Sequence, residues 1–166
     1  DCSYCREWDL TAADKHYHVW ALPVQVGVRV LVYRRDLFRE AGLPDRPPET
    51  LDEMLAFAQK LTDPDAGVFG LRVDLGNLTR ITTAVLQSMG GSLAERDESG
   101  HWRCAFDTDP AIEACHFVAR LFHEPYTNRK GKTLTSVVFP GASPGSIDSP
   151  PWRGGIAKIA MFMDVF

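Results

Sequence analysis

The chain has 166 residues, 45% of them hydrophobic and 24% charged. That is the size of one globular domain with a sizeable core, and it excludes a disordered chain and a collagen-like repeat. Eighteen Lys and Arg against 22 Asp and Glu give a formal charge of −4, and no apolar run reaches the roughly 20 residues of a membrane span, so neither a nucleic-acid partner nor membrane insertion is expected.

Asp1 to Glu7 carry charges and two cysteines where a signal core would be apolar, so no targeting segment is read there. In LPVQVGVRVLVY, Leu22 to Tyr33, Val24, Val26, Val28 and Val30 alternate with Gln25, Gly27 and Arg29, which predicts a strand with one apolar and one polar face. The polar face either meets water or lines a polar cleft, with Gly27 allowing a ligand close to the backbone. RRDLFREAGL then places Leu37, Phe38 and Ala41 on one helical face, stopped by Gly42 and the prolines beyond it.

Thr50 and Glu53 form a capping box ahead of an amphipathic helix with Leu51, Met54, Leu55, Ala58 and Leu61 on its apolar side. Asp63 to Gly67 reads as a turn, Val68 to Val73 as a short strand, Asp74 to Asn77 as a loop, and Leu78 to Met89 as a helix closed by Gly90 and Gly91. The ERDESG reversal leads to a strand over Trp102 to Phe106. Asp107 or Thr108 then caps a helix whose stripe of Ile112, Cys115, Ala119 and Phe122 is expected in the core. Glu124 to Trp152 is rich in Gly, Pro and Ser and reads as an irregular loop, either functional or mobile. IAKIAMFMDVF has the pattern of a buried strand. Helices and short strands therefore alternate, which argues one layered α/β domain over residues 1–166, without internal repeats.

Catalytic signatures are sparse. Cys2 and Cys5 with His16 and His18 can be drawn as a zinc site, but the histidines are two residues apart, not three to five, so no metal is expected. A local disulfide, free thiols, or a buried apolar role for Cys115 are the plainer readings, and the pairing of Cys2, Cys5, Cys104 and Cys115 stays open. No GxSxG elbow, P-loop or GxGxxG occurs. Asp63 and Asp65 flank a proline turn and Asp107 and Asp109 open a helix, which explains both carboxylate pairs without glycosidase chemistry.

Three ordered stretches resemble the extracellular solute-binding proteins of ABC importers, family 1, the sugar-binding group that includes maltose-binding protein. LPVQVGVRVLVYRRDLFREAGL followed by PPETLDEMLAFAQKLTD is similar to the strand entering the second lobe, its Asp-Leu-Phe turn and the next helix start, with Leu51 where the family often has Trp. VFGLRVDLGNLTRITTAVLQSMGGSL resembles the following strand, cleft loop and helix with a double glycine. FDTDPAIEACHFVARLF resembles the Phe-Asp-Thr-Pro helix start, and GIAKIAMFMD the strand returning to the hinge. The likeness covers about Trp20 to Asp164 and rests on order and spacing.

This resemblance implies an α/β, three-layer-type lobe of a type II periplasmic-binding-protein fold, present as a partial chain: the second lobe plus hinge strands. The family's aromatic segment after the final strand has no counterpart at Val165 and Phe166. It also implies a non-enzymatic receptor with no cofactor, periplasmic or cell-surface, which binds a carbohydrate or other small polar solute between two lobes and delivers it to an ABC transporter permease. By the same resemblance, Trp20, Gln25, Gly27, Arg29, Asp74, Gly76, Asn77 and Arg80 face the cleft. Sugars need planar polar groups for paired hydrogen bonds and aromatic faces for stacking, which these residue types supply. The partner would be the missing N-terminal lobe or, alternatively, a second copy in a homodimer. The competing readings are a free-standing interaction module derived from the lobe, and a zinc-dependent or glycoside-processing enzyme.

Overall fold

The computed structural model describes residues 6–8, 17–19, 29–73, 78–139 and 158–165, with side chains over 30–73, 78–139 and 158–162. The chain divides into two compact units. The described part of the first is an antiparallel pair, β1 (Arg6–Trp8) and β2 (Tyr17–Val19), with Arg6 opposite Val19 and Trp8 opposite Tyr17.

The second unit, Val30–Asp164, follows the alternation read from the sequence. In chain order come β3 (Arg29–Tyr33), α1 (Arg35–Glu40), α2 (Leu51–Leu61), a 3-10 turn (Pro64–Ala66), β4 (Val68–Arg72) and α3 (Leu78–Ser88). They are followed by β5 (Ala94–Arg96), β6 (Trp102–Cys104), α4 (Asp109–His123), β7 (Tyr126–Thr127), β8 (Thr133–Leu134) and β9 (Lys158–Val165). Of the expected strand over Leu22–Tyr33, residues before Arg29 lie outside the described ones.

The sheet runs in the order β3-β9-β4, so the last strand lies between two that precede it. β9 is the apolar run foreseen in the sequence, and Ile159, Ala160, Met161 and Phe162 are all buried. β4 pairs with it in parallel, Val68 opposite Lys158 and Arg72 opposite Phe162. On the outer side of β4, Leu71 N–H donates to Val137 O at 3.0 Å and Phe139 N–H donates to Leu71 O at 2.9 Å, which covers that edge. Gly42 ends α1's turn at φ 63°, a left-handed conformation that costs glycine nothing.

α2 starts as the capping box predicts, with one variation. Thr50 Oγ1 accepts from Glu53 N–H at 3.1 Å, but the Glu53 carboxylate reaches past Thr50 to Glu49 N–H at 2.7 Å. The Arg46 fork also grips it at 2.8 and 2.9 Å, and these bonds hold the Glu53 carboxyl down to about 2. α2 lies against β4 at a very short distance. Gly70 makes this approach possible: a Cβ there would sit 2.1 Å from Ala58 O. Thr62 completes the seam, since its buried Oγ1 accepts from Gly70 N–H at 3.0 Å and donates to Ala58 O at 2.7 Å.

α4 corrects the expected stripe. Ile112 is 46% exposed, Cys115 and Ala119 are exposed and Phe122 is half-buried, whereas Ala111, Ala114, Phe117, Val118 and Leu121 face the core. The helix is turned by about one residue, or 100°. The winning stripe buries Phe, Leu and Val together, and its two alanines permit close packing, so it removes more apolar area from water than the Ile-Cys-Ala-Phe stripe would. Cys115 is thus a free, exposed thiol and not a buried apolar residue, and Cys104 is likewise free and exposed. Thr108 stands at the N-cap as expected, yet its hydroxyl donates to Ala105 O at 2.9 Å and makes no cap bond to the helix.

Candidate ligand-binding site

In α/β sheets, ligands gather outside the carboxyl ends of parallel strands, because loops there can vary without disturbing the core. In this chain that place is the carboxyl end of β4 beside β9. Arg72, the last residue of β4, is half-buried, and its guanidinium carbon lies 5.9 Å from the centroid of the Phe162 ring on the neighbouring strand. Phe162 is itself buried and so forms a rigid floor beneath the cation. Val73 is buried at the strand exit.

Residues 74–77 separate this exit from α3. Val73 and Leu78 are five Cα steps apart, at most about 18 Å, which bounds the distance from the strand exit to the start of α3. Ile81 is buried and Leu78 half-buried, and this amphipathic seating turns Thr79 and Arg80 outward. Thr79 and Arg80 are thus exposed on the first turn of α3, and Arg72 is half-buried at the end of β4. Guanidinium and hydroxyl groups are donor types that ligand oxygens can accept from.

Of the residues expected to face a cleft, Trp20, Gln25, Gly27, Asp74, Gly76 and Asn77 lie outside the described residues. Arg29 is the first residue of β3, with its side chain outside them too. Arg80 is exposed on the first turn of α3. The sequence reading passed over Arg72. The available signal was an arginine closing the otherwise apolar strand VFGLR immediately before the loop, but only the strand register puts it beside Phe162.

Two apolar depressions lie elsewhere. One of about 270 Å³ is lined chiefly by Leu31, Pro48, Leu51, Met54 and Val85, and one of about 400 Å³ by Pro64, Phe69, Phe122, Leu134 and Phe139. Neither includes Arg72 or Arg80, and their apolar walls do not match a ligand dense in hydroxyls. Cys2, Cys5 and His16 of the drawn zinc site lie outside the described residues, as does the side chain of His18 in β2. Among the described residues no three His, Cys, Asp or Glu side chains form a group that could hold a metal ion.

A sheet with a parallel strand pair, packed by helices, places this chain among the type II periplasmic-binding-protein folds. The family model of bacterial extracellular solute-binding proteins matches residues 4–147, and the chain belongs to this family. It is a family of binding proteins and not of enzymes. Among solved structures, an ABC transporter solute-binding protein of Thermotoga lettingae TMO bound with α-D-tagatose is 25% identical, with a TM-score of 0.62 over 82% of this chain and 32% of that one. A sugar transporter of Arthrobacter chlorophenolicus A6 with bound laminaribiose is 23% identical, with a TM-score of 0.63 over 92% and 34%. An ABC substrate-binding protein of Listeria monocytogenes in complex with cycloalternan is 20% identical, with a TM-score of 0.61 over 84% and 32%. The chain spans about a third of the length of these structures.

Proposed function

We propose that this chain is the second lobe, with hinge strands, of the solute-binding component of an ABC importer. It binds a carbohydrate or a related polyol in an interlobe cleft and delivers it to the permease. The observation that carries this reading is the family match over residues 4–147. The structures with bound tagatose, laminaribiose and cycloalternan support a hydroxyl-rich ligand class.

In such a receptor the ligand bridges two lobes, so its binding energy favours the closed form, which the transporter recognises. Trp20, Gln25, Gly27, Arg29, Asp74, Asn77 and Arg80 are the proposed contacts from this lobe, with Arg72 behind them. Membership of an extracellular family supports a location in the periplasm or at the cell surface. Among the described residues, no helix is long and apolar enough to cross a membrane.

One lobe offers half a site, which sets the test. The thermal midpoint of the chain is measured against a panel of mono- and oligosaccharides and polyols, because a ligand that binds only the folded state must raise it. The expected result is a small rise with one sugar class at millimolar concentration, abolished in Arg80→Ala. Micromolar binding to the monomer would overturn the half-site reading. No rise with any sugar, even when the chain is joined to the remaining lobe, would overturn the carbohydrate reading.

A further inference from the structure

NRKGK, residues 128–132, is a basic loop tip whose three cations stay exposed yet each meets a partner on a neighbouring segment. Asn128 is the pivot: it is 5% exposed, and its Oδ1 accepts from the backbone N–H groups of Lys130 and Lys132 at 3.0 Å each, while its Nδ2 donates to Thr62 O at 3.3 Å. Lys130 Nζ then lies 2.5 Å from Asp63 Oδ2, Lys132 Nζ lies 2.7 Å from Asp65 Oδ1, and Arg129 Nη1 donates to Glu40 O at 3.4 Å, at the end of α1. The whole tip of the β7–β8 hairpin is thereby fastened to the turn between α2 and β4.

These fastenings are unequal. Asp65 and Lys132 are 61% and 47% exposed, so their pair is screened by water and holds little. Asp63 is 1% exposed, so losing Lys130 strands a carboxylate that water does not reach. Beyond β8 the chain is held by different means: Val137 and Val138 are buried, and their segment bonds to Leu71 along the edge of β4. One end of the excursion has an apolar anchor and the other an ionic fastening around a single buried charge.

We propose that the Asn128–Lys132 tip is a latch, and that the β7–β8 hairpin lifts off the α2–β4 turn as a local unit when the Lys130–Asp63 pair is broken. The Val137–Phe139 edge and the helices stay folded during this opening. The latch lies at the amino end of β4, away from the candidate ligand site, so the inference stands apart from the transport reading.

Hydrogen exchange of the full chain tests it residue by residue. Lys130→Met should raise exchange at Asn128, Gly131 and Lys132 about tenfold, less than for a wholly buried pair because the lysine is half exposed. The amides of Leu71, Phe139, α3 and α4 should not change, Lys132→Met should do nothing, and adding Asp63→Asn to Lys130→Met should restore most of the protection. No change at the hairpin, equal effects of the two lysines, or a rise of all amides together would each overturn the proposal. If Lys130→Met does not fold, the unaltered chain in low denaturant gives the same answer. There the hairpin amides should exchange through an opening of smaller denaturant dependence than the core, and hairpin and core moving on one curve would overturn the latch.

Discussion

At its amino end β4 is enclosed on every side: α2 approaches to backbone contact at Gly70, Thr62 bridges the seam, and a buried Asp63 is matched by Lys130 from a hairpin 67 residues further along the chain. At its carboxyl end the same strand finishes in a half-buried arginine over a phenylalanine ring, followed by a helix whose first turn presents Thr79 and Arg80 outward. The contrast teaches how one five-residue strand serves two purposes. Close packing and ionic fastening fix its position at one end, and at the other Arg72 is held over the Phe162 ring.

The largest effect on this contrast should come from Gly70→Ala. The added Cβ meets backbone atoms of Ala58, which cannot rotate away, so we expect a loss of about 3 kcal/mol or more in denaturant unfolding. A loss below about 1 kcal/mol would mean that α2 can slide along β4, and the amino end would not be the rigid anchor described. Thr62→Val keeps the shape and removes the hydroxyl that takes the Gly70 N–H, leaving that buried donor unmatched. The expected cost is about 1–3 kcal/mol, with the secondary-structure content unchanged by circular dichroism.

Acid should act on the same region. The Lys130 ammonium holds the Asp63 carboxyl below its usual range, and the Arg46 guanidinium holds Glu53 at about 2. Both groups have depressed folded-state values, so the stability they contribute is present above the unfolded values near 4 and lost as pH falls through the folded ones. The thermal midpoint should therefore fall between pH 4 and pH 2, and Asp63→Asn should flatten part of that fall. The smallest structural effect belongs to the carboxyl end. Arg80→Ala should stay within about 0.5 kcal/mol of the unaltered chain, because the side chain is exposed, while removing the sugar-induced rise in melting temperature. A large destabilisation by Arg80→Ala would show that this end is also scaffold and would erase the distinction.

Much of the scaffold could be read without coordinates where the signal is local. Thr50 and Glu53 predict the start of α2, Gly42 the end of α1, and the apolar run at 158–165 a buried strand, because capping, left-handed turns and burial on both faces leave direct marks in neighbouring residues. The reading of α4 failed because two stripes one residue apart both look apolar, and only packing against α3 decides between them. Among the candidate residues, the sequence singles out Arg80 by its place after the loop. It does not single out Arg72, whose meaning depends on Phe162, 90 residues away.

The sequence by itself determined the alternation of helices and strands, their caps and turns, the negative charge balance, and the ordered motifs that mark an extracellular solute-binding protein. Each of these is carried by residues a few positions apart, or by totals over the chain. Tertiary structure alone decided that the last strand sits between β3 and β4, that Gly70 serves a helix contact, that the basic tip at 128–132 answers a buried aspartate, and that Arg72 rests over Phe162. All four pair residues far apart in the chain, and such pairs are selected by the burial of area and charge when the elements pack, which no local pattern encodes.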